Sequence, residues 1–167
     1  DPHHEGCEMW HIGSHTVKDI KGNAIADSLP AVNFRIYWDG DLQEELLANM
    51  NWRPSFPPYL QKWDGEKAVP LPLSNCRHLY EMGNTTSCNW TKATPNLQAD
   101  IFGDWREELI FWDKNDASHL NIFTTNIPTD YRVVTLMHDH IYRMGVAWQN
   151  VSYNQPPHVK NIKQLIK

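Results

Sequence analysis

Residues 100–108 read Asp-Ile-Phe-Gly-Asp-Trp-Arg-Glu-Glu, and the apolar run Leu-Ile-Phe-Trp follows at once at 109–112. Four consecutive large apolar residues next to turn-forming residues are typical of a β-strand. An acidic loop therefore leads straight into a strand. This combination decides the fold class that we predict, because the same arrangement recurs elsewhere in the chain.

The acidic loop has the spacing of a metal-binding loop. Asp100, Asp104 and Glu108 are four residues apart, and Phe102 and Arg106 lie between them, where each can turn a backbone carbonyl inward. Calcium takes about six to eight oxygen ligands in flexible geometry. We therefore predict that these five residues bind calcium. An ordinary acidic turn at the start of a hairpin has the same spacing and stays open as an alternative.

Composition narrows the class of protein. The chain has 167 residues, a net charge of -5 and a pI near 6.0. It therefore has the size of one domain and lacks the basic surface of a nucleic-acid-binding protein. No apolar stretch approaches the length of a membrane helix, and no signal peptide is recognised within these residues, which says little about the compartment. The chain opens on Asp1-Pro2 rather than Met, so we interpret it as a piece of a longer protein.

The remaining pattern predicts an all-β protein with few helices. A hairpin is expected at 59–69 across the Asp-Gly turn at 64–65, and a second one joins 109–112 to 120–124. Residues 42–50 fit two helical turns or a strand equally well. Further strands are predicted at 7–12, 22–26, 33–38, 133–137 and 146–150.

A weak repeat underlies these strands. Acidic strand entries occur at 1–10, 39–47 and 100–112, about 40 and about 60 residues apart, which suits a blade array better than a single sandwich. A blade has about four strands, so the chain holds about three blades. Known propeller rings have about four to eight blades. Three blades cannot close a ring, so the chain is expected to be a fragment.

Four runs resemble the carboxy-terminal third of the bacterial rhamnogalacturonan lyases, which are large calcium-rich β-propellers. These runs lie at 33–42, at 91–108, at 135–139 with 142–143, and at 147–151 with 153–158. The resemblance implies that residues 1–158 are the last blades, about three, of an eight-bladed propeller whose strand-entry loops bind calcium. Residues 159–167 depart from the family pattern and are expected to form a divergent tail.

The resemblance also implies a reaction and the residues for it. The substrate would be rhamnogalacturonan, cleaved by β-elimination at C4 of a galacturonate with calcium as cofactor. Asn89, Trp90 and Thr91 match the substrate-binding run, although the family usually has Gly where this chain has Trp90. Lys92 is the candidate catalytic base or charge stabiliser, since a nearby divalent cation lowers the pKa of a lysine.

Two features of the family pattern are cut by the start of the chain. Asp1 and Glu8 match ligands of a further calcium loop whose first Asp would precede Asp1, and the Arg that partners Lys92 would also lie upstream. The full-length protein is expected to be a monomer without membrane or nucleic-acid partners. Polymer degradation implies a secreted, periplasmic or cell-surface protein, whereas an enzyme for imported oligomers would be cytoplasmic.

Other readings stay open. On its own the chain is equally an inactive calcium-stabilised module that binds pectic sugars or acts as a scaffold, and an integrin-like interaction propeller would share the calcium loop. The sequence does not separate endo from exo cleavage. Cys76 and Cys88 can form a disulfide or remain free thiols, and we favour free thiols.

Overall fold

The computed structural model describes residues 3–4, 6–49, 58–71, 85, 87–88, 94–151 and 154–167. Its strands form three antiparallel sheets, so the predicted all-β class is confirmed for the described residues. In chain order the strands are β1 Val17–Lys18, β2 Ala24–Ala26, β3 Phe34–Ile36, β4 Glu45–Asn49, β5 Pro58–Trp63, β6 Ala68–Pro70, β7 Leu97–Ala99, β8 Glu108–Trp112 and β9 Leu120–Phe123.

The largest sheet is a four-stranded meander in the order β3-β4-β5-β6. Leu47 lies opposite both Phe34 of β3 and Leu60 of β5, so three apolar side chains line up across one face. The predicted hairpin over the Asp64-Gly65 turn is confirmed as β5 and β6. The ambiguous segment 42–50 forms a strand, β4, because its apolar residues face the core shared with β3 and β5.

The second sheet has the order β7-β8-β9 and includes the predicted hairpin of β8 and β9. It shares a buried core with the first sheet. The shared residues are Phe34, Ile36, Trp38, Leu47, Leu60, Leu71, Leu109, Phe111 and Phe123. Packing these two sheets on one core holds the two acidic strand entries, before β4 and before β8, in one body.

A second core lies on the other side of β3. Ile36 and Trp38 face the first core, whereas Tyr37 between them belongs to the second, as the alternation of an extended chain requires. Tyr37 meets Trp105 edge to face, with ring centroids 6.0 Å apart. The other members of this core come from the carboxy-terminal part of the chain: Val133, Leu136, Tyr142 and Ile162.

Two predicted strands are wrong. Residues 133–137 contribute only a single bridge, Val133 to Ile166, and then a 3₁₀ turn at Leu136–His138. Residues 146–150 belong to the helix α1, His140–Trp148, and the turn after it. Asp139 explains the helix, because its carboxylate accepts a hydrogen bond from Tyr142 N at 2.9 Å and caps the amino-terminal end.

The first predicted strand is also wrong. Over residues 7–12 only Met9 bridges, to Lys18, and the two-stranded sheet begins later, at β1 and β2. The strand expected at 22–26 is confirmed as β2.

Cys7 and Cys88 are free thiols, and Cys76 lies outside the described residues. None of the helices in the described ranges is long and apolar enough to cross a membrane.

The segment after residue 158 contributes to the second core. Ile162 is buried at the start of a 3₁₀ turn, Ile162–Leu165, and Ile166 bridges Val133. Backbone bonds from Val134 N to Leu165 O and from Lys167 N to Arg132 O, at 3.0 and 2.8 Å, extend this contact. The boundary predicted at residue 158 remains a prediction.

Candidate functional site

The acidic loop between β7 and β8 folds back on its own backbone. Asp100 is buried; its Oδ1 accepts from Gly103 N at 2.8 Å, and its Oδ2 accepts from Thr135 Oγ1 at 2.8 Å and from Leu136 N at 2.7 Å. The carboxylate therefore ties the loop to the 3₁₀ turn that precedes α1. Gly103 and Trp105 have positive φ, 78° and 73°, which gives the loop its tight course.

Glu108 closes the same loop from the strand side. Its Oε2 accepts from Ile101 N at 2.7 Å and Phe102 N at 3.1 Å, and its Oε1 accepts from Thr124 Oγ1 at 3.1 Å. Burial raises the pKa of the Glu108 carboxyl, and the backbone donors of Phe102 and Ile101 oppose that rise. In this geometry both oxygens of Glu108 are engaged by protein donors.

Of the remaining loop residues, Phe102 and Asp104 are exposed, whereas Arg106 is buried. Asp104 accepts from Arg106 N at 3.1 Å and pairs with the Arg106 guanidinium at 2.5 Å, and Phe102 is 63% exposed. The guanidinium of Arg106 also donates to the carbonyl of Ile127. The structure thus brings Asp100, Asp104 and Glu108 into one loop but gives each carboxylate its own protein donors. Calcium binding by this loop stays a prediction.

The other predicted site residues are mostly outside the described part of the chain. Asn89, Trp90, Thr91 and Lys92, with Asp1, lie there, so their roles stay predictions. Glu8, the second predicted ligand of the amino-terminal loop, is described and is half-buried.

Sequence reasoning missed a more compact acidic group at the entry to β4. Among the described residues, Asp39, Asp41 and Glu45 bring carboxylate oxygens within 4.8 Å of one another. The sequence had marked this stretch only as a member of the repeat. The group is built by the turn between β3 and β4, in which Asp39 Oδ1 accepts from Asp41 N at 2.9 Å and Asp41 Oδ1 accepts from Gln43 N at 2.8 Å.

Glu45 takes the same role in this loop that Glu108 takes in the other. Its Oε2 accepts from the backbone N–H groups seven and six residues earlier, Trp38 at 2.8 Å and Asp39 at 3.2 Å. Glu108 bonds the N–H groups seven and six residues before it in the same way. The repeat seen in the sequence is therefore a repeat of loop geometry.

The two loops differ in what faces the acidic group. In the first loop the Lys62 ammonium lies 2.5 Å from Asp39 Oδ2, 2.6 Å from Asp41 Oδ2 and 3.1 Å from Glu45 Oε1. The register that places Leu46 opposite Gln61 brings Lys62 beside Glu45. In the second loop the neutral hydroxyl of Thr124 meets Glu108 instead. In the first loop one cation from β5 therefore contacts all three carboxylates, whereas in the second loop Arg106 pairs with Asp104 and not with Glu108 or Asp100 among the ion pairs of the described residues.

Charge explains the titration of this group. Burial, followed by the negative charge of Asp39, raises the pKa of Glu45 to about 8, and Lys62 opposes the rise. Partial burial lowers the pKa of Lys62, but Glu45, Asp39 and Asp41 outweigh it and raise the pKa above its usual value.

Three carboxylate oxygens are hard ligands that suit a divalent cation such as calcium. The donor set fits such an ion, which would have to displace the ammonium.

A buried polar network joins the two sheets next to these loops. Glu107 is fully buried; it accepts from Arg35 Nη1 at 2.9 Å, Tyr37 N at 2.9 Å, Gln98 Nε2 at 3.0 Å and Tyr142 Oη at 2.8 Å. Complete burial raises the pKa of Glu107, and Arg35 with the neutral donors opposes this. One carboxylate thus fixes β3, β7 and α1 relative to the second acidic loop.

Comparison with known proteins places the chain. The model of the rhamnogalacturonan lyase family 11 C-terminal domain matches residues 1–162. Rhamnogalacturonan endolyase YesW of Bacillus subtilis (strain 168) is 44% identical over 159 residues, which are 95% of this chain and 23% of that protein. Rhamnogalacturonan exolyase YesX of the same organism is 42% identical over 167 residues, 95% of this chain and 26% of that protein.

The fold gives the same result. The crystal structure of the YesW lyase superposes with a TM-score of 0.77 at 40% identity and covers 97% of this chain and 25% of the solved chain. This chain therefore spans about a quarter of the length of the relatives that it matches. Since the family model matches almost the whole sequence, the chain belongs to rhamnogalacturonan lyase family 11 and corresponds to its C-terminal domain.

Proposed function

We propose that the protein to which this chain belongs is a rhamnogalacturonan lyase that cleaves the rhamnogalacturonan I backbone of pectin by β-elimination. The observation that carries the proposal is the 44% identity to a rhamnogalacturonan endolyase over 95% of this chain. The two sheets β3–β6 and β7–β9 are, in this proposal, blades of an eight-bladed propeller that the rest of the protein completes. The full-length protein is a monomer that acts on the polymer outside the cytoplasm or on imported oligomers inside it.

The proposed chemistry assigns one proton transfer to this chain. A base removes the proton at C5 of a galacturonate, the C4–O bond breaks, a C4=C5 double bond forms, and the leaving oxygen takes up a proton. Lys92 in its neutral form is the candidate base, and in its charged form it would stabilise the developing negative charge. Asn89, Trp90 and Thr91 directly precede it and are the candidate sugar-binding residues.

Calcium is the proposed cofactor. Bound to the substrate carboxylate, it withdraws electron density and makes the C5 proton more acidic. The candidate ligands are the oxygens of Asp100, Phe102, Asp104, Arg106 and Glu108, those of Asp1 and Glu8, and the group of Asp39, Asp41 and Glu45. The hard oxygen chemistry of these groups supports calcium over a softer metal.

Ultraviolet absorbance of the unsaturated uronate tests the proposal. Rhamnogalacturonan is incubated with the full-length protein, with Ca²⁺ and then with a chelator. We expect calcium-dependent growth of absorbance that Lys92→Ala abolishes and that Lys114→Ala, at an exposed lysine of the β8–β9 turn, preserves. Absence of any absorbance change with the full-length protein, under conditions in which YesW forms product, would refute lyase activity.

The isolated chain decides between two forms of the proposal. It spans only about a quarter of its relatives, so a substrate cleft built from several blades would be incomplete. The second candidate function is therefore an inactive, calcium-stabilised module that binds pectic sugars or scaffolds the lyase. Product formed by residues 1–167 alone would reject it, and activity restricted to the full-length protein would support it.

A further inference from the structure

The outer face of helix α1 carries an apolar groove. It encloses about 700 Å³ and is lined by the helix and by the segment that returns along it. The lining residues on the helix and just after it are Ile141, Met144, Trp148 and Val151, and Pro156 contributes from the returning segment. The polar side chains of Gln155 and His158 complete the rim. The groove is thus distinct from both acidic loops.

Its apolar side chains are exposed to an unusual degree. Ile141, Met144 and Trp148 are 54%, 46% and 67% exposed, and Val151 is 76% exposed. Positions 141, 144 and 148 are spaced three and four residues apart, so they form one stripe on the helix. Tyr142, on the other side of the helix, is fully buried in the second core. Helix α1 therefore has two apolar faces, and only one of them is covered within the described residues.

The groove is held in shape by the fold. Gln149, just past the end of α1, accepts from Gln98 N at 2.8 Å and donates to Gln98 O at 2.6 Å, which ties the helix to β7. A Cβ atom on Gly145 would come within 2.9 Å of Pro157 Cα, so this glycine permits the returning segment to lie directly on the helix. A groove with two fixed walls binds a partner without first having to order itself.

The lining chemistry selects the kind of partner. A sugar-binding site needs several hydrogen-bonding groups beside an aromatic platform, whereas this surface is mostly aliphatic and aromatic. Exposed contiguous apolar surface of this kind is typical of a contact with another protein segment, a membrane or an apolar ligand. The family relatives extend over about four times the length of this chain, and this chain matches their C-terminal domain. A large body of protein from the same polypeptide is thus available to cover the face.

We propose that the α1 groove is the docking surface for the part of the lyase polypeptide that precedes this domain. Trp148 is its central anchor, because it has the largest side chain of the stripe, and exposed tryptophans dominate the energy of such contacts. The proposal depends on membership of the family and does not require that the protein be an active lyase.

Oxidative footprinting with mass spectrometry tests this proposal without any substitution. The isolated chain is compared with a fusion in which the region of YesW preceding the matched part is joined to residue 1. Hydroxyl radicals oxidise exposed Met, Trp and Tyr side chains. We expect several-fold protection of Met144 and Trp148 in the fusion. Tyr131, which is 42% exposed and does not line the groove, is the control and keeps its oxidation rate.

Four outcomes overturn the proposal. Equal oxidation of Met144 and Trp148 in the isolated chain and the fusion would show that the groove stays open. Equal protection of Tyr131 would show general shielding rather than docking. Protection that rises with the concentration of the isolated chain would identify a second copy as the occupant. If the fusion does not fold, the YesW region is added in trans, and binding that Trp148→Asp does not weaken would also reject the groove. Lyase activity is measured separately, so its loss leaves the footprint interpretable.

Discussion

Replacement of Lys62 by Met tests whether the acidic loop before β4 is stabilised by the ammonium group of Lys62 on the neighbouring strand β5. Met keeps most of the aliphatic length of the side chain and removes the ammonium that contacts Asp39, Asp41 and Glu45 at 2.5, 2.6 and 3.1 Å. Lys62 is only 20% exposed and Glu45 is fully buried. The substitution therefore leaves two poorly solvated carboxylates, Asp39 and Glu45, facing each other.

The size of the effect follows from the geometry. Two unit negative charges no more than 4.8 Å apart repel by at least about 3.5 kcal/mol at an effective dielectric constant of about 20. Removing one partner from a buried ion pair costs about 3–5 kcal/mol in general. Above the Glu45 pKa of about 8, where Glu45 is charged, we expect Lys62→Met to lower the free energy of unfolding by an amount in this range, because half-exposed Asp41 adds little.

The effect depends on pH in a defined direction. Glu45 has a folded-state pKa of about 8, raised from 4.5, so its contribution to stability is complete below the unfolded value and is lost as the pH rises through about 8. Loss of the ammonium raises this pKa further. The cost of Lys62→Met should therefore be larger on the alkaline side of the Glu45 pKa than on the acid side, where a proton replaces the missing cation.

Urea unfolding followed by tryptophan fluorescence measures the loss of unfolding free energy caused by Lys62→Met. It is measured in chelator and in Ca²⁺, at one pH below and one pH above the Glu45 pKa of about 8. We expect Ca²⁺ to restore part of the lost stability in the variant and to have less effect on the unmodified chain. Lys114→Met, at an exposed lysine, is the matched control and should change stability by no more than about 0.5 kcal/mol. A variant as stable as the parent in chelator, or additive effects of Lys62→Met and Glu45→Gln, would refute the reasoning.

Three further changes probe the parts of the fold around the site. Gly145→Ala should destabilise the chain by about 1–3 kcal/mol in thermal unfolding, because the new Cβ meets Pro157 atoms at 2.9 Å. Glu107→Gln should lower the urea midpoint by the equivalent of about 3 kcal/mol, because it removes the buried partner of Arg35 and leaves it only the partly exposed Glu44 carboxylate, 3.4 Å away. Burial, then the charge of Arg35, lowers the pKa of His158 in the folded state below its usual value of 6.5. The neutral imidazole therefore contributes stability above pH 6.5, and this contribution is lost as the pH falls through the folded-state pKa. His158→Gln should make the loss of stability with falling pH less steep between these two pKa values.

Each of these changes has a contradicting result. An unchanged melting temperature for Gly145→Ala would mean that the returning segment does not lie against α1. A Glu107→Gln variant no less stable than Glu66→Gln, an exposed control, would show that the buried network is dispensable. Parallel acid-unfolding curves for His158→Gln and the parent would show that folding does not lower the pKa of His158.

Hairpins were predictable from sequence because their signals are local. The Asp64-Gly65 turn between two alternating segments and the short polar loop between 112 and 120 each specify an antiparallel pair within a few residues. Ala24–Ala26 followed from the same kind of pattern. The short strand β4 was left open because Leu42, Leu46 and Leu47 fit both periods, and only pairing with β3 and β5 decides between them.

The acidic group at β4 was not predictable as a charged cluster with its own lysine. Lys62 lies on a different strand from Glu45, 17 residues away, and reaches it only through the register of β4 and β5. The second loop has the same backbone arrangement, but Thr124 occupies the place next to Glu108. The spacing of the acidic residues in the sequence therefore predicts the backbone geometry of both loops. Whether a lysine or a threonine contacts the last glutamate of the loop depends on the register of a neighbouring strand.

Helix α1 was not predicted because the expected strand covers only its carboxy-terminal end. A helix with one solvated face alternates apolar and polar residues with a period of about 3.6, and a window of several turns is needed to see this period. The segment 146–150 contains only three residues of the helix His140–Trp148, and so short an apolar run resembles a strand. Over the whole helix Tyr142 faces the core, while Ile141, Met144 and Trp148 on the outer face are apolar as well. The sequence of α1 therefore suits a helix packed on two sides, and the described residues supply only one of them.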